Sequence, residues 1–433
     1  MDTAYVKLWG ERIAAVSWNS EKQLANFEYL PAFVDQNIEV APLTMPAQKG
    51  RIYQFPELAS KNSQLDTFKG LPGLLADILP DRYGNRLINS WLAQQGRPQN
   101  DMNPVETLCF IGQRGMGALE FEPSTHKKQQ IFDISMDNLV SIAAQMLHER
   151  EAFSENISKD TEEAMKRILT LGTSAGGARS KAIIAFNEET GAVKSGQTDA
   201  PSGFKHYLIK LDGVDDAQFG TSMGYGRVEM AYYLMAIDCG IDMMPSRLLE
   251  ENGRAHFMTQ RFDREGTSTK HHIQTLCAMA HYDYNHVGEY SYEQLFQVMR
   301  MLRLPYPDAE EMYRRMVFNV IARNCDDHTK NFSFLLKKGE KWRISPAYDV
   351  CFAYDPKSIW VSKHSLSLNG KRDHIKREDL KTIAKSMNIK RPDQIIDRTK
   401  DVVSQWKSYA SKTGVSKDLS DHIQKHIVAV EMD

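Results

Sequence analysis

The sequence predicts an α+β chain in two parts, sheet-forming first and mostly helical second, and three observations carry that expectation. Aromatic and β-branched residues crowd the opening thirty positions, short strand patterns recur between 181 and 260, and beyond Asp263 apolar residues repeat at helical spacing. With 433 residues, 42% of them apolar, the chain can bury more than one core. Lys plus Arg number 54 and Asp plus Glu 56, a net charge of −2, so no global field draws the protein onto nucleic acid. Five cysteines without C-x-x-C spacing indicate neither a disulfide framework nor a zinc knuckle. No leader-like start and no apolar run near the ~20 residues of a membrane span is seen, so a soluble, cytoplasmic protein without a membrane partner is expected.

The elements come in order along the chain. Tyr5 to Val16 read as two strands around Trp9-Gly10-Glu11, and extended sequence continues through Phe27, Tyr29 and Phe33. From Leu71 to Leu92 the spacing turns helical until Pro80 interrupts, with Asp81 placed to cap the next segment. The polar run Glu122 to Gln130 reads as a linker, then a helix over Asp137 to Arg150 and a glycine-rich loop over Leu171 to Ala178. Strands are expected at Lys181–Phe186, Phe204–Leu211 and in a hairpin of Ser246–Glu250 with Ala255–Gln260. A helix from Tyr225 to Cys239, closed by Gly240, falls between the second and third. Asp308 and Glu311 form a capping box for a helix striped by Met312, Met316, Val317, Val320 and Ile321. Three closing helices are expected around Leu380–Met387, Ile395–Tyr409 and Leu419–Val430. These patterns divide the chain at 1–125, 126–263 and 264–433.

The chemistry concentrates in Cys325-Asp326-Asp327-His328-Thr329-Lys330-Asn331, a polar loop between two apolar elements. Asp326 and Asn331 have the D-x-x-x-x-N spacing of a kinase catalytic loop, in which a carboxylate receives a hydroxyl proton and an amide oxygen binds a metal. A hairpin from Phe332 to Ile344 then returns Asp349 to the same loop end, and a hard ion such as Mg²⁺ needs just one or two such oxygens beside phosphate. Alone, these residues are read as well as turn caps. Lys210 ends a strand and Glu229 sits early in the next helix, the lysine–glutamate arrangement that holds ATP phosphates, although an isolated pair is more often surface. Upstream, Thr173 to Lys181 (TSAGGARSK) offers small residues for close backbone approach to phosphate, without a Walker or G-x-G-x-x-G pattern. Gln260-Arg261-Phe262-Asp263 stands where a hinge would meet adenine.

In that order, the motifs resemble the HipA family, serine/threonine-kinase toxins of HipA/HipB toxin–antitoxin modules. The likeness runs over essentially the whole chain: Leu79-Pro80-Asp81, Phe110-Ile111-Gly112, Gly117-Ala118, Ser174 to Lys181, His206 to Lys210, Gln260 to Asp263, Asp326 to Asn331, Tyr348-Asp349 and Leu368 to Lys371. The resemblance implies a two-lobed, protein-kinase-like fold. It implies Asp326 as catalytic base, Asn331 and Asp349 as Mg²⁺ ligands, Lys210 on the ATP phosphates, with Glu229 and Lys181 beside the nucleotide. His328 also lies against the nucleotide, and Gln260 and Phe262 supply hinge backbone groups; at Gln260 this sequence departs from an acidic residue of some members. Ser174 aligns with the self-phosphorylated serine, with Thr173 and Ser180 as neighbouring candidates, and a phosphate of roughly −1.5 to −2 charges there would silence the enzyme. The implied partners are a HipB-type helix-turn-helix antitoxin dimer, operator DNA within that complex, and a protein substrate such as glutamyl-tRNA synthetase.

Other readings have weaker footing. A small-molecule kinase on the same fold and a catalytically silent co-repressor are the principal alternatives; a metal phosphohydrolase built from Asp326, Asp327, His328 and Asp349 would leave Lys210 and Glu229 idle. His271, His272, His281 and His286 with Asp283 lack metal-ligand spacing and are expected to be satisfied or solvated. The basic clusters at Lys127, Lys337 and Lys371 to Arg377 are interrupted by acidic or turn residues and are expected to be solvated surface.

Overall fold

A computed structural model describes residues 2–61, 66–81, 84–85, 88–89, 92–93, 96–98, 101–124, 131–137, 139–140, 180–196, 198–213 and 224–428. The chain is α+β, with a β-rich N-terminal part, and it divides into two compact units: residues 1–223 with 249–274, and residues 224–248 with 275–433. The expected helix over Asp137 to Arg150 and the glycine-rich loop fall largely or wholly outside the described residues.

Among the described residues the first unit holds two five-stranded sheets and a two-stranded ribbon of Arg264–Glu265 with Thr269–Lys270. In one, β1 (Thr3–Leu8), β2 (Glu11–Asn19), β3 (Leu24–Tyr29), β4 (Ile52–Tyr53) and β5 (Leu119–Glu122) take the order β4-β3-β2-β1-β5. Trp9 and Gly10 both adopt positive φ to turn β1 into β2. Phe33, expected as extended, lies instead in the short helix Pro31–Val34, where Pro31 sets the first helical φ. The second sheet contains β6 (Lys181–Phe186), β7 (Val193–Ser195), β8 (Lys205–Lys210), β9 (Ser246–Glu251) and β10 (Arg254–Gln260), ordered β7-β6-β8-β10-β9. Every residue of β6 is buried, which explains its unbroken apolar run after Lys181. Ala182, Ile184 and Phe186 pack with Tyr207, Ile209, Leu211 and Met258 on one face, and Ile88, Leu92 and Phe110 join that core. At roughly 25 cal/mol per Å² of apolar area, each such side chain contributes about 1.5–3 kcal/mol, opposed by the entropy of ordering it.

The helical pattern at Leu71–Leu92 yields the short buried helix Gly73–Ala76 before Pro80. Asp81 then accepts a hydrogen bond from the Gly84 amide at 2.7 Å, the capping role expected of it.

The second unit is mostly helical. Its first helix, Tyr225–Asp238, buries Val228, Glu229, Ala231, Tyr232, Met235 and Ala236, and Gly240 at φ +81° lets the chain leave. The helix Tyr306–Ile321 corrects one expectation. Pro305 is its N-cap, so Asp308 lies inside the first turn and no side chain caps the end. Asp308 instead takes Arg343 through three contacts of 2.6–3.0 Å and the Ile344 amide at 3.1 Å. Glu311 accepts from the Asp242 amide, Arg314 and Arg315. A capping box is a local pattern, and here a partner 35 residues away outcompetes it. The expected helix Ile395–Tyr409 is broken at Gln405 into Pro392–Ser404 and Trp406–Lys412, so four helices close the described residues, with Arg377–Ser386 first and Lys417–Val428 last.

Candidate active site

The helix Tyr306–Ile321 delivers the chain into the loop 322–331, and the hairpin of Ser333–Leu336 with Arg343–Ile344 brings it back to Asp349. Asn331, Tyr348 and Asp349 line one cavity with Asp327, Asn324, Asn319 and Arg315. The loop and the hairpin return therefore converge within the second unit, as the D-x-x-x-x-N spacing and the hairpin Asp require. Asn331 ends a short 3-10 turn and donates through Nδ2 to the Asp326 carbonyl at 2.7 Å. That bond uses one of the two amide hydrogens, so Oδ1 keeps its acceptor capacity. Tyr348 donates to the Lys330 carbonyl at 2.7 Å and ties the hairpin return to the loop. Asp349 itself sits at φ +53°, a left-handed conformation that Asp tolerates better than most residues and that turns its carboxylate off the line of the chain.

The Asp326 side chain is 48% exposed, whereas Asp327 is buried. His328 Nε2 is 3.7 Å from Asp326 Oδ1, its ring lies against Tyr284 with centroids 5.3 Å apart, and its Nδ1 is buried with no hydrogen-bond partner among the described residues. Asn324 Oδ1 and Arg315 Nη2, both on the cavity wall, are likewise buried without a partner there. Lys330 extends over Tyr284 at 4.8 Å. Hard oxygen donors on Asn331 and Asp349, one amide and one carboxylate, suit a Mg²⁺ ion whose remaining positions go to phosphate and water. Among the described residues no group of three or more His, Cys, Asp or Glu could hold a metal.

In the first unit, Lys181 and Lys210 are direct cross-strand partners on β6 and β8, so both leave the sheet on the face opposite the Ile184–Tyr207 core. Lys181 is buried and its Nζ lies 2.9 Å from Asp81 Oδ2. Asp81 thus caps one segment and neutralises a lysine about a hundred residues on, a pairing that no local spacing announces. Glu229 is buried in the second unit, which overturns the plain reading of a solvated helix glutamate. Gln260 and Phe262 flank a buried charge cluster. Arg261 holds Asp263 with two bonds of 2.8 and 2.7 Å, and Arg264 adds another at 2.7 Å. The Gly117 amide, at φ +75°, donates to the same carboxylate at 2.6 Å. Burial alone would raise the Asp263 carboxyl, but Arg261 and Arg264 hold it well below the usual range. Asp263, through the Gly117 amide, and the adjoining Arg264, through the Gly115 and Gly117 carbonyls, therefore tie this glycine segment to the sheet end, a role that sequence reasoning missed.

Ser174 and Thr173 lie outside the described residues, and Ser180, the third candidate, is buried. The histidines have other occupations: His272 Nε2 bonds the Val40 carbonyl, His271 pairs with Glu265 and His286 with Glu289. Burial pushes His272 and His281 down to about 4, so both are neutral near pH 7. No helix among the described residues is long and apolar enough to cross a membrane.

Residues 4–122 match the family model of the HipA N-terminal domain and residues 173–406 that of the HipA-like C-terminal domain. A curated relative, "Putative kinase Y4mE" of Sinorhizobium fredii, is 27% identical over 126 residues, a match spanning 27% of this chain and 30% of that relative's length. Among solved structures, one of the Shewanella oneidensis MR-1 HipA, HipB and operator DNA complex superposes with a TM-score of 0.67 at 14% identity. That overlay covers 98% of this chain and 96% of the other, a likeness of fold.

Proposed function

The chain belongs to the HipA family, and from that premise we propose that it is an ATP-dependent protein serine/threonine kinase acting as the toxin of a toxin–antitoxin module. The observation that carries this reading is the shared cavity of Asn331 and Asp349 beside a loop whose Asp326 carboxylate is half exposed. In the proposed step, Asp326 takes the proton of an acceptor hydroxyl as its oxygen bonds the γ-phosphorus, the bond to the β–γ bridging oxygen breaks, and ADP leaves. Asn331 Oδ1 and the Asp349 carboxylate would hold Mg²⁺, which when bound supplies neutralising charge for the phosphates. Lys210, with Lys181 beside it, would orient the triphosphate, Glu229 would fix the lysine, and the backbone of Gln260 and Phe262 would meet adenine. His328, with a buried nitrogen lacking a partner among the described residues, would complete the contact to the nucleotide.

By the same reading Ser174 is the self-phosphorylation site. A HipB-type antitoxin with its operator DNA is the proposed partner, since the solved HipA of matching fold is found in such a complex. A translation component such as glutamyl-tRNA synthetase is the proposed substrate, encountered in the cytoplasm. The test is transfer of label from γ-labelled ATP to the chain or to protein in a lysate. Transfer should need Mg²⁺ and vanish in Asp326→Ala and Asp349→Ala; undiminished transfer by Asp326→Ala would overturn the assignment. Label appearing in a metabolite and in no protein would instead favour a small-molecule kinase.

A further inference from the structure

Beneath the Asp326–Asn331 loop runs a buried polar chain to which the proposed phosphoryl transfer gives no task. Asp327 is 1% exposed and accepts three hydrogen bonds: from the Tyr292 hydroxyl at 2.7 Å, from His364 Nδ1 at 2.9 Å and from the Ser365 amide at 2.7 Å. Tyr292 opens one helix, and His364 and Ser365 lie some seventy residues further along, so two separate stretches meet at the Asp327 carboxylate. The chain extends as Asn319 Nδ2 donates to the Tyr292 oxygen at 3.1 Å and Asn324 Nδ2 donates to Asn319 Oδ1 at 2.9 Å. Asn324, Asn319 and Asp327 also line the cavity that contains Asn331 and Asp349.

The loop start is held equally firmly. Cys325 donates its amide to the Ala353 carbonyl at 3.0 Å, and its own carbonyl accepts from the Ser365 hydroxyl at 3.2 Å. His364 Nε2 faces the Cys325 thiol at 3.9 Å. Burial pushes the His364 imidazole down, but the adjoining Asp327 carboxylate and Cys325 outweigh it and carry the group up to about 10. The contact is then a fully buried, charged pair. Such a pair seldom stabilises a fold more than apolar side chains of equal volume would, and where one is retained its best-attested use is to select one arrangement over others. The arrangement selected here is visible at the neighbouring residue: with the Asp327 carboxylate turned inward, the Asp326 carboxylate faces out.

We propose that Asp327 and His364 are positioning residues, whose buried pair, completed by Tyr292 and the Ser365 amide, fixes the backbone from which Asp326 and Asn331 project. Its catalytic consequence rests on the kinase reading above, whereas the ordering of the loop does not. Neither residue is assigned contact with nucleotide or acceptor. Both act through Asp326, so they should govern turnover more than nucleotide binding.

Three full-length variants test this: His364→Ala, Tyr292→Phe, and the uncharged pair Asp327→Asn with His364→Gln, in which an amide donor still faces an amide oxygen. Steady-state phosphoryl transfer and amide hydrogen exchange over 325–331 are measured on each. His364→Ala should lower kcat about 10- to 100-fold while KM for ATP moves less than about 3-fold, and exchange in the loop should accelerate. The uncharged pair should recover at least part of kcat and of the protection, and Tyr292→Phe should fall between it and wild type. If His364→Ala does not fold, the other two variants decide the same comparison. Loop protection unchanged in variants that fold, or KM rising as much as kcat falls, would overturn the proposal. A wild-type chain that transfers no phosphate would sink the kinase reading alone, because the exchange measurement still reports whether the pair orders the loop.

Discussion

Two buried carboxylates, Asp263 in the first unit and Asp327 in the second, solve the same physical problem differently. Asp263 faces two guanidinium groups, Arg261 and Arg264, and a backbone amide from Gly117. Asp327 faces one imidazolium, a phenol and a backbone amide. The first cluster is more than compensated in charge and cannot be neutralised near pH 7, because arginine does not lose its proton there. The second depends on a histidine, held protonated near pH 7 by Asp327 and discharged only as pH rises towards about 10. One is a permanent fastener of the sheet end, and the other a tie whose strength depends on pH, placed under the residues with candidate chemistry.

Removing the permanent fastener should have the largest effect. Asp263→Ala leaves Arg261 and Arg264 buried side by side without the carboxylate that bonds both, a loss of about 3–5 kcal/mol. Chemical denaturation should report it, with the loss assigned by hydrogen exchange to residues around Gly117 and β10. A variant as stable as wild type would show that the cluster is not the fastener described.

The pH dependence separates the two carboxylates by sign. The folded-state value of His364 is raised, so its contribution is fully present below its ordinary 6.5 and is lost as pH climbs from there through about 10. The Asp263 value is depressed, so its contribution is present above the ordinary 3.8 and is lost as pH falls below it. Alkaline titration should therefore weaken protection around 325–331 through His364, and acid should weaken the sheet end through Asp263. The alkaline loss should disappear in the uncharged Asp327→Asn, His364→Gln pair.

A smaller effect is expected at Arg343, whose removal strands the buried Asp308 carboxylate. Arg343→Ala should destabilise by about 1–3 kcal/mol in a urea melt, the cost of a buried carboxylate that keeps the Ile344 amide but loses its charged donor. Smallest is Arg377→Ala, where Asp393 and Asp397 are more than half exposed and water replaces the guanidinium. No measurable change in melting temperature is expected there.

The contrast also accounts for which features are legible in the sequence. β6, β8 and the β9–β10 hairpin, the Tyr225 helix, and the loop–hairpin order around Asp326, Asn331 and Asp349 obey local period and turn chemistry, and those signals lie within about two dozen residues. Asp263 with Gly117, Asp81 with Lys181, Asp327 with His364 and Asp308 with Arg343 are separated by 35 residues or more. Their partners are set by how elements pack, which no spacing rule encodes. The Asp308 capping box failed for that reason. The second closing helix kept its apolar stripe and broke at Gln405 all the same. For Asp327, a useful signal was present: two adjacent carboxylates in one loop rarely share a role when one must face substrate.

The central claim is that Asn331 and Asp349 form the metal-holding half of a phosphoryl-transfer site. It is tested most directly by anomalous scattering from crystals of the chain grown with Mn²⁺ and a non-hydrolysable ATP analogue. The account predicts a manganese peak within about 2.0–2.3 Å of Asn331 Oδ1 and an Asp349 carboxylate oxygen, with the analogue's phosphates as its other ligands. A peak held by other side chains, or nucleotide bound away from both residues, would contradict it.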